Sequence, residues 1–240
     1  ILKARRAGEP QRTRAIIIYP MNALANSQRE ELEKFIGECG LPDEMRPTFR
    51  RYTGQEQESE RRAAATEKPD IILTNFMMLE LLMTRQDELD RSVIENMSGL
   101  EFLVLDELHT YRGRQGADVA MLVRRVRERV GSKQMLCIGT SATMASGEED
   151  AGRRAVADVG TRLFGSAVSP DDVITETLER RTVKPANEAE YLRALRATVT
   201  NPPQHASAEG FETDPLAVWI EENVGLDLGE TARRRPPMTL

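Results

Sequence analysis

"FLVLDELHTYRG", residues 102–113, is the stretch that decides how this chain folds. Four apolar residues, the composition of a strand covered on both faces, run directly into two adjacent carboxylates, a leucine and one of the chain's two histidines. Adjacent like charges are unfavourable unless a cation, a hydrogen-bond network or water holds them. The strand therefore ends at a place built to be polar.

Working outward, the same pattern recurs. "AIIIYP" (15–20), "TFRRYTG" (48–54), "DIIL" (70–73) and "QMLCIG" (134–139) are short strand-like runs. Helical spacing fills the intervals: 22–38, 59–66, 75–84 and 117–130, where Val119, Leu122, Val123 and Val126 share one side. Short buried strands alternating with helices predict an α/β fold with a parallel sheet flanked by helices. Further on, the pattern predicts a helix over 148–164, a strand over 172–177, a helix over 187–197 and an amphipathic helix over 214–226. Between the last two, 198–212 reads as a linker, and the tail "ARRRPPMTL" has no periodicity. The predicted division is residues 1–178 as the α/β domain and 179–240 as a mostly helical accessory segment.

Composition sets the bounds. The 240 residues are 40% hydrophobic and 30% charged, ordinary for a globular protein. No apolar run reaches the length of a membrane span, and the first residues carry no signal-peptide pattern. Cys39 and Cys137 lie far apart and read as free thiols, which suits a cytoplasmic protein. A net charge of −6 argues against a uniformly basic surface. The basic residues are mostly arginines, several of them paired: Arg50-Arg51, Arg61-Arg62 and Arg124-Arg125. Such pairs suit phosphate, but they equally suit a solvated face with ordinary ion pairs.

Ligands of open parallel sheets bind beyond the carboxyl ends of the strands. Five successive strand ends here are polar: "YPMNALANSQ", "TGQEQESERR", "TNFMML", "DELHTYRG" and "TSATMA". In order and spacing these resemble the motifs of superfamily 2 helicases of the DEAD/DEAH-box type. Asp-Glu-Leu-His and Ser-Ala-Thr resemble motifs II and III, and "YPMNALANSQ" resembles motif Ia. "PDIIL" with "TNFMML" resembles the segment that contacts the nucleic-acid backbone, and "RYTGQEQESERR" the element between those two.

The resemblance implies the first RecA-like lobe of a P-loop NTPase, using ATP and Mg²⁺ to move on nucleic acid. It implies that Asp106 holds Mg²⁺ through water, that Glu107 activates the water attacking the γ-phosphate, and that His109, Ser141 and Thr143 couple hydrolysis to strand movement. It implies nucleic-acid contacts from Met21, Asn22, Ala23, Gly54, Thr74 and Asn75, with Arg61 or Arg62 either joining them or lying on ordinary surface. Residues beyond Ser-Ala-Thr are similar to large bacterial helicases related to RecQ-like repair and phage-defence enzymes, which favours DNA over RNA. A nucleic-acid-binding module without ATPase activity and a translocase subunit of a restriction or defence complex are the rival readings.

The sequence also departs from that family. Its lysines, at 3, 34, 68, 133 and 184, never follow a glycine, so the phosphate-binding Gly-Lys-Ser/Thr loop is not found, nor is anything like a second RecA-like lobe. The expectation is a fragment, incomplete at its N-terminus and inactive alone, in which "MLCIG" (135–139) lacks a strand neighbour.

Overall fold

The computed structural model describes residues 1–85, 87–142, 149–176, 178–201, 208–229 and 232–235. The chain forms two compact units, Ile1–Val173 and Ile174–Leu240.

The first unit is built on a five-stranded sheet in the order β2-β3-β1-β4-β5, comprising β1 (Ala15–Tyr19), β2 (Phe49–Arg51), β3 (Ile71–Asn75), β4 (Phe102–Leu105) and β5 (Leu136–Gly139). Every pairing is parallel. The β-branched "AIII" of β1 suits the centre of a sheet packed on both sides. Helix α1 (Leu2–Arg6) precedes the sheet, α2 (Asn22–Glu38), α3 (Glu58–Glu67), α4 (Phe76–Thr84), α5 (Glu88–Asn96) and α6 (Gly113–Arg129) run between the strands, and α7 (Glu149–Phe164) follows β5. One face of the sheet carries the main core, where Ile16, Ile18, Ile72, Leu103 and Leu105 meet Leu79 and Leu82 of α4 and Leu122 and Val126 of α6. Burying each such side chain contributes roughly 1.5–3 kcal/mol. The other face carries a smaller cluster of Tyr19, Ala25 and Leu73 with Leu24 and Leu32 of α2.

The expected α/β architecture is present, with two differences. Helix α5 was not read from the sequence; Asp87 caps it by accepting from the N–H groups of Leu89 and Asp90. The strand expected over 172–177 does not form among the described residues. Ser169 accepts from Asp171 N while Asp172 accepts from Ser169 N, so the chain enters a 3₁₀ turn over Pro170–Asp172. Ile174, an inward residue in a true strand, is 95% exposed. Cys39 and Cys137 are free thiols, and no described helix is long and apolar enough to cross a membrane.

In the second unit, α8 (Glu188–Thr200) packs against α10 (Pro215–Ile220), with α9 (Ala208–Glu212) just before the latter. Part of the expected linker is thus helical. Asp214 caps α10, which runs on as a π-helical turn over Glu221–Gly225, so the helix expected over 214–226 is present with a wider last turn. There the Glu221 carboxylate accepts from the N–H groups of Arg181, at 2.7 Å, and Thr182, at 2.8 Å. An antiparallel pair of β6 (Leu226–Leu228) and β7 (Ala232–Arg234) follows, the second strand lying in the tail that showed no periodicity.

At the sheet edge, β5 pairs with β4 alone among the described residues, and its Leu136 and Ile138 are 55% and 39% exposed. An apolar edge without a charge is a template for strand addition. These 240 residues are therefore expected to self-associate with rising concentration, and Ile138→Lys to shift them towards monomer. Sedimentation velocity checks this; a wild-type chain monomeric throughout would rule the edge out.

Candidate functional site

Two groups of side chains gather along the carboxyl edge of the sheet. The first lies where β4 and β5 end. Asp106 N still donates to Ile18 O at 2.9 Å, continuing the ladder to β1. At Glu107 the backbone turns left-handed, with φ +54° and ψ +53°, an uncommon conformation for a side chain of this size. The turn is held because Leu108 N donates to Thr140 O and both the N–H and the hydroxyl of Thr110 donate to Glu107 O, each at 2.8 Å. Leu108 then lies over Gly139, where any β-carbon would run into its side chain.

Thr140 clasps the carboxylate turn. Its hydroxyl donates to Asp106 Oδ1 and accepts from Glu107 N at 3.4 Å, while its own N–H donates to Leu105 O at 3.0 Å. His109 Nδ1 lies 3.2 Å from Ser141 Oγ and 3.1 Å from Glu107 Oε2, the latter at an angle that forms no hydrogen bond. Sequence reading named Asp106, Glu107, His109 and Ser141, and all four meet here. Thr143 lies outside the described residues. Thr140 was missed, although it stands in the quoted "TSAT". Two buried tyrosines also sense Asp106: burial, and then its charge, push the phenols of Tyr19 and Tyr111 up to about 12.

This donor set fits a hard cation with a water. Two carboxylates stand at one strand end, and Glu107 Oε2 is buried without a hydrogen bond. Among the described residues no three metal-binding side chains cluster. The residues present thus fit the metal and attacking-water side of a nucleotide site; its phosphate cradle is not found in this sequence.

The second group lines a cleft of about 710 Å³ at the ends of β1, β2 and β3, which Met21, Asn22, Thr53, Gly54 and Asn75 share with Met77, Arg85 and Gln115. Helix α2 starts here without a side-chain cap, leaving its first N–H groups free to meet an anion. Ala23 is exposed in its first turn. Asn75 is fully engaged: Oδ1 accepts from Met78 N at 2.7 Å, and Nδ2 donates to Asn22 Oδ1 at 2.6 Å and Thr53 O at 2.9 Å. Thr74 is a correction to the expected set. It is fully buried within β3 and its hydroxyl donates to Tyr52 O at 2.6 Å, so it braces the sheet and does not reach the cleft.

Glu56 fixes the loop that carries Gly54, another group the sequence did not single out. Its carboxylate accepts from Thr53 N at 2.7 Å and from Thr53 Oγ1, Gly54 N and the Arg51 guanidinium. Arg61 is likewise structural, donating to Tyr52 Oη, Asp87 and Asp90, while Arg62 pairs with Glu58 one turn away.

Burial alone would push the Glu56 carboxyl up, but its hydrogen bonds from Thr53 and Arg51 outweigh that and hold it below the usual value. A depressed folded-state pKa gives stability that is present above the unfolded value, about 4.3, and lost as pH falls through the folded one. Glu56→Gln is expected to lower the unfolding free energy at pH 7 by about 1–3 kcal/mol. It should also make urea midpoints less pH-sensitive below about pH 4.3. Identical acid limbs in both proteins would refute the assignment.

A family model described as DEAD/DEAH box helicase matches residues 1–151. The chain is 34% identical over 143 residues to the uncharacterized ATP-dependent helicase YprA of Bacillus subtilis (strain 168), covering 59% of this chain and 18% of that protein. It is 38% identical over 124 residues to Druantia protein DruE of Escherichia coli (strain UMEA 4076-1), covering 47% of this chain and 6% of that one. The crystal structure of the DUF1998 helicase MrfA superposes with a TM-score of 0.55 at 26% identity, covering 85% of this chain and 29% of that one. Its DNA-bound form gives 0.51 at 27% identity, covering 65% and 19%. The chain thus spans less than a third of the length of each of these proteins.

Proposed function

The chain belongs to the DEAD/DEAH box helicase family, and from that premise we propose that residues 1–178 form the first motor lobe of an ATP-dependent DNA helicase or translocase of the cytoplasm. Residues 179–240 would be an accessory segment, and a second RecA-like lobe in cis would complete the motor. Subunits of a repair or defence complex would be partners of the same lobe. The observation that carries this reading is the clasp of Asp106 and Glu107 by Thr140, with His109 and Ser141 alongside.

Mg²⁺ with ATP, when bound, supplies charge neutralisation and the phosphoryl group to be transferred. Asp106, oriented by the Thr140 hydroxyl, is the residue that would hold the metal through water. Glu107 takes a proton from the attacking water at its unsatisfied Oε2. His109 senses that change through the short approach to Glu107 and passes it to Ser141. Nucleic acid lies along the cleft, its phosphates on the open N-terminus of α2 and on Gly54, with contacts that read no sequence. Tyr19 joins the two regions: its phenol lies in the field of Asp106, and two residues on the chain reaches Met21. DNA is favoured as the track because MrfA, a structural relative, is a helicase with a DNA-bound form.

In the full protein, Glu107→Gln is expected to retain ATP binding and lower turnover by roughly 10²–10⁴-fold, the contribution of a general base. Steady-state ATPase with a nucleotide-binding assay checks this, and turnover within tenfold of wild type would remove Glu107 from that role. A wild-type protein that binds DNA but never hydrolyses ATP would favour a binding module instead. Ser141→Ala is expected to spare DNA-stimulated ATPase and reduce strand displacement or translocation. Equal loss of both would count against coupling.

A further inference from the structure

We propose that Met21 and Met77 make the cleft selective for deoxyribose over ribose, an inference that rests on reading this cleft as the nucleic-acid track. The two side chains are 59% and 63% exposed, and both line the cleft. Their placement follows from register: Tyr19 pairs with Asn75, and each methionine stands two residues beyond its paired position, one from β1 and one from β3. Two flexible thioethers therefore line the cleft beside the apolar Pro20, Phe76, Met78 and Leu81, together with polar groups that suit a phosphate chain.

The distribution of donors and acceptors makes the distinction. Both ends of the Asn75 amide are taken, Asn22 Oδ1 accepts from it, and the Thr53 hydroxyl is given to Glu56. What remains around the cleft is rich in donors: the first N–H groups of α2, the Asn22 amide nitrogen, and Arg85, which has no ion-pair partner among the described residues. Donors match phosphate oxygens, which only accept. A 2′-hydroxyl both donates and accepts, and it distinguishes RNA from DNA. Against a thioether, a weak acceptor, it would give up water without an equal partner. The C2′ methylene of deoxyribose loses nothing there and gains dispersion contact with polarisable sulfur. Gln115 of α6 also lines the cleft; in the proposed track the methionines, and not its amide, meet the sugars.

The test is fluorescence-anisotropy competition on the full chain at one fixed salt concentration, using decamers of deoxyuridine, uridine and 2′-fluoro-deoxyuridine. These share one base, so the sugar alone varies. Wild type should prefer the deoxyuridine strand to the uridine strand by about tenfold. The 2′-fluoro strand, which has an RNA-like sugar pucker but no hydroxyl, should bind as DNA does. In the double variant Met21→Gln, Met77→Gln, the DNA-to-RNA affinity ratio should fall to about threefold or less, because the new amides can pair with a 2′-hydroxyl. Three outcomes would overturn the proposal while leaving the track intact: equal wild-type affinity for DNA and RNA, a 2′-fluoro strand that binds like RNA, or an unchanged ratio in the variant. Wild type binding none of the strands would instead overturn the track itself, and this inference with it.

Discussion

Backbone hydrogen bonds from β1 run to β3 on one side and β4 on the other, setting Ile18 level with Thr74 and with Leu105. The next pairing sets Leu105 level with Gly139. This in-register alignment brings four segments to the same edge at once: Pro20-Met21-Asn22, Asn75, Asp106-Glu107 and Thr140-Ser141. A slip of one residue would move every inward side chain of a strand to the opposite face. The buried isoleucines of β1, covered by cores of unequal size on the two faces, make such a slip unfavourable. The apolar interior thus sets the geometry of the polar edge.

The two groups along that edge are held differently. The cleft is braced by amides and a carboxylate whose hydrogen bonds are nearly all internal, as at Asn75 and Glu56. The carboxylate turn keeps unmet capacity, in Glu107 Oε2 and in the buried Tyr111 hydroxyl. A buried group without a partner is unfavourable in a resting protein, and one place it persists is where a further partner takes part in function. On the reading proposed above, a braced track would lie beside an incompletely satisfied chemical centre, the division of labour that a motor lobe requires.

Much of this was legible in the residues. Helix α2 was read to its observed ends, because an apolar strand, a proline and helical spacing mark its start, and Gly40 with Pro42 lie just past its end. β4 was equally plain, four apolar residues with charge on either side. Thr140 escaped notice because its importance arises only when β5 lies against β4. Glu56 looked like one more surface charge until the loop folded around it. Thr74 misled in the other direction: a threonine after an apolar run reads as a strand end, yet β3 continues through Asn75 and keeps Thr74 inside. The hairpin of β6 and β7 joins strands too short for any period to register.

Among the described residues, two that are not glycine have left-handed backbones, Lys68 and Glu107. Lys68 closes helix α3, a position glycine fills with less strain, and no ion pair of its side chain is found among the described residues. Glu107 occupies the same unfavourable region, but there glycine would erase the carboxylate. Relief of backbone strain at Lys68 is thus open to ordinary drift, whereas at Glu107 thermal robustness and chemistry pull in opposite directions. A selection for heat resistance alone, blind to activity, would press on the residue that the proposed chemistry can least give up.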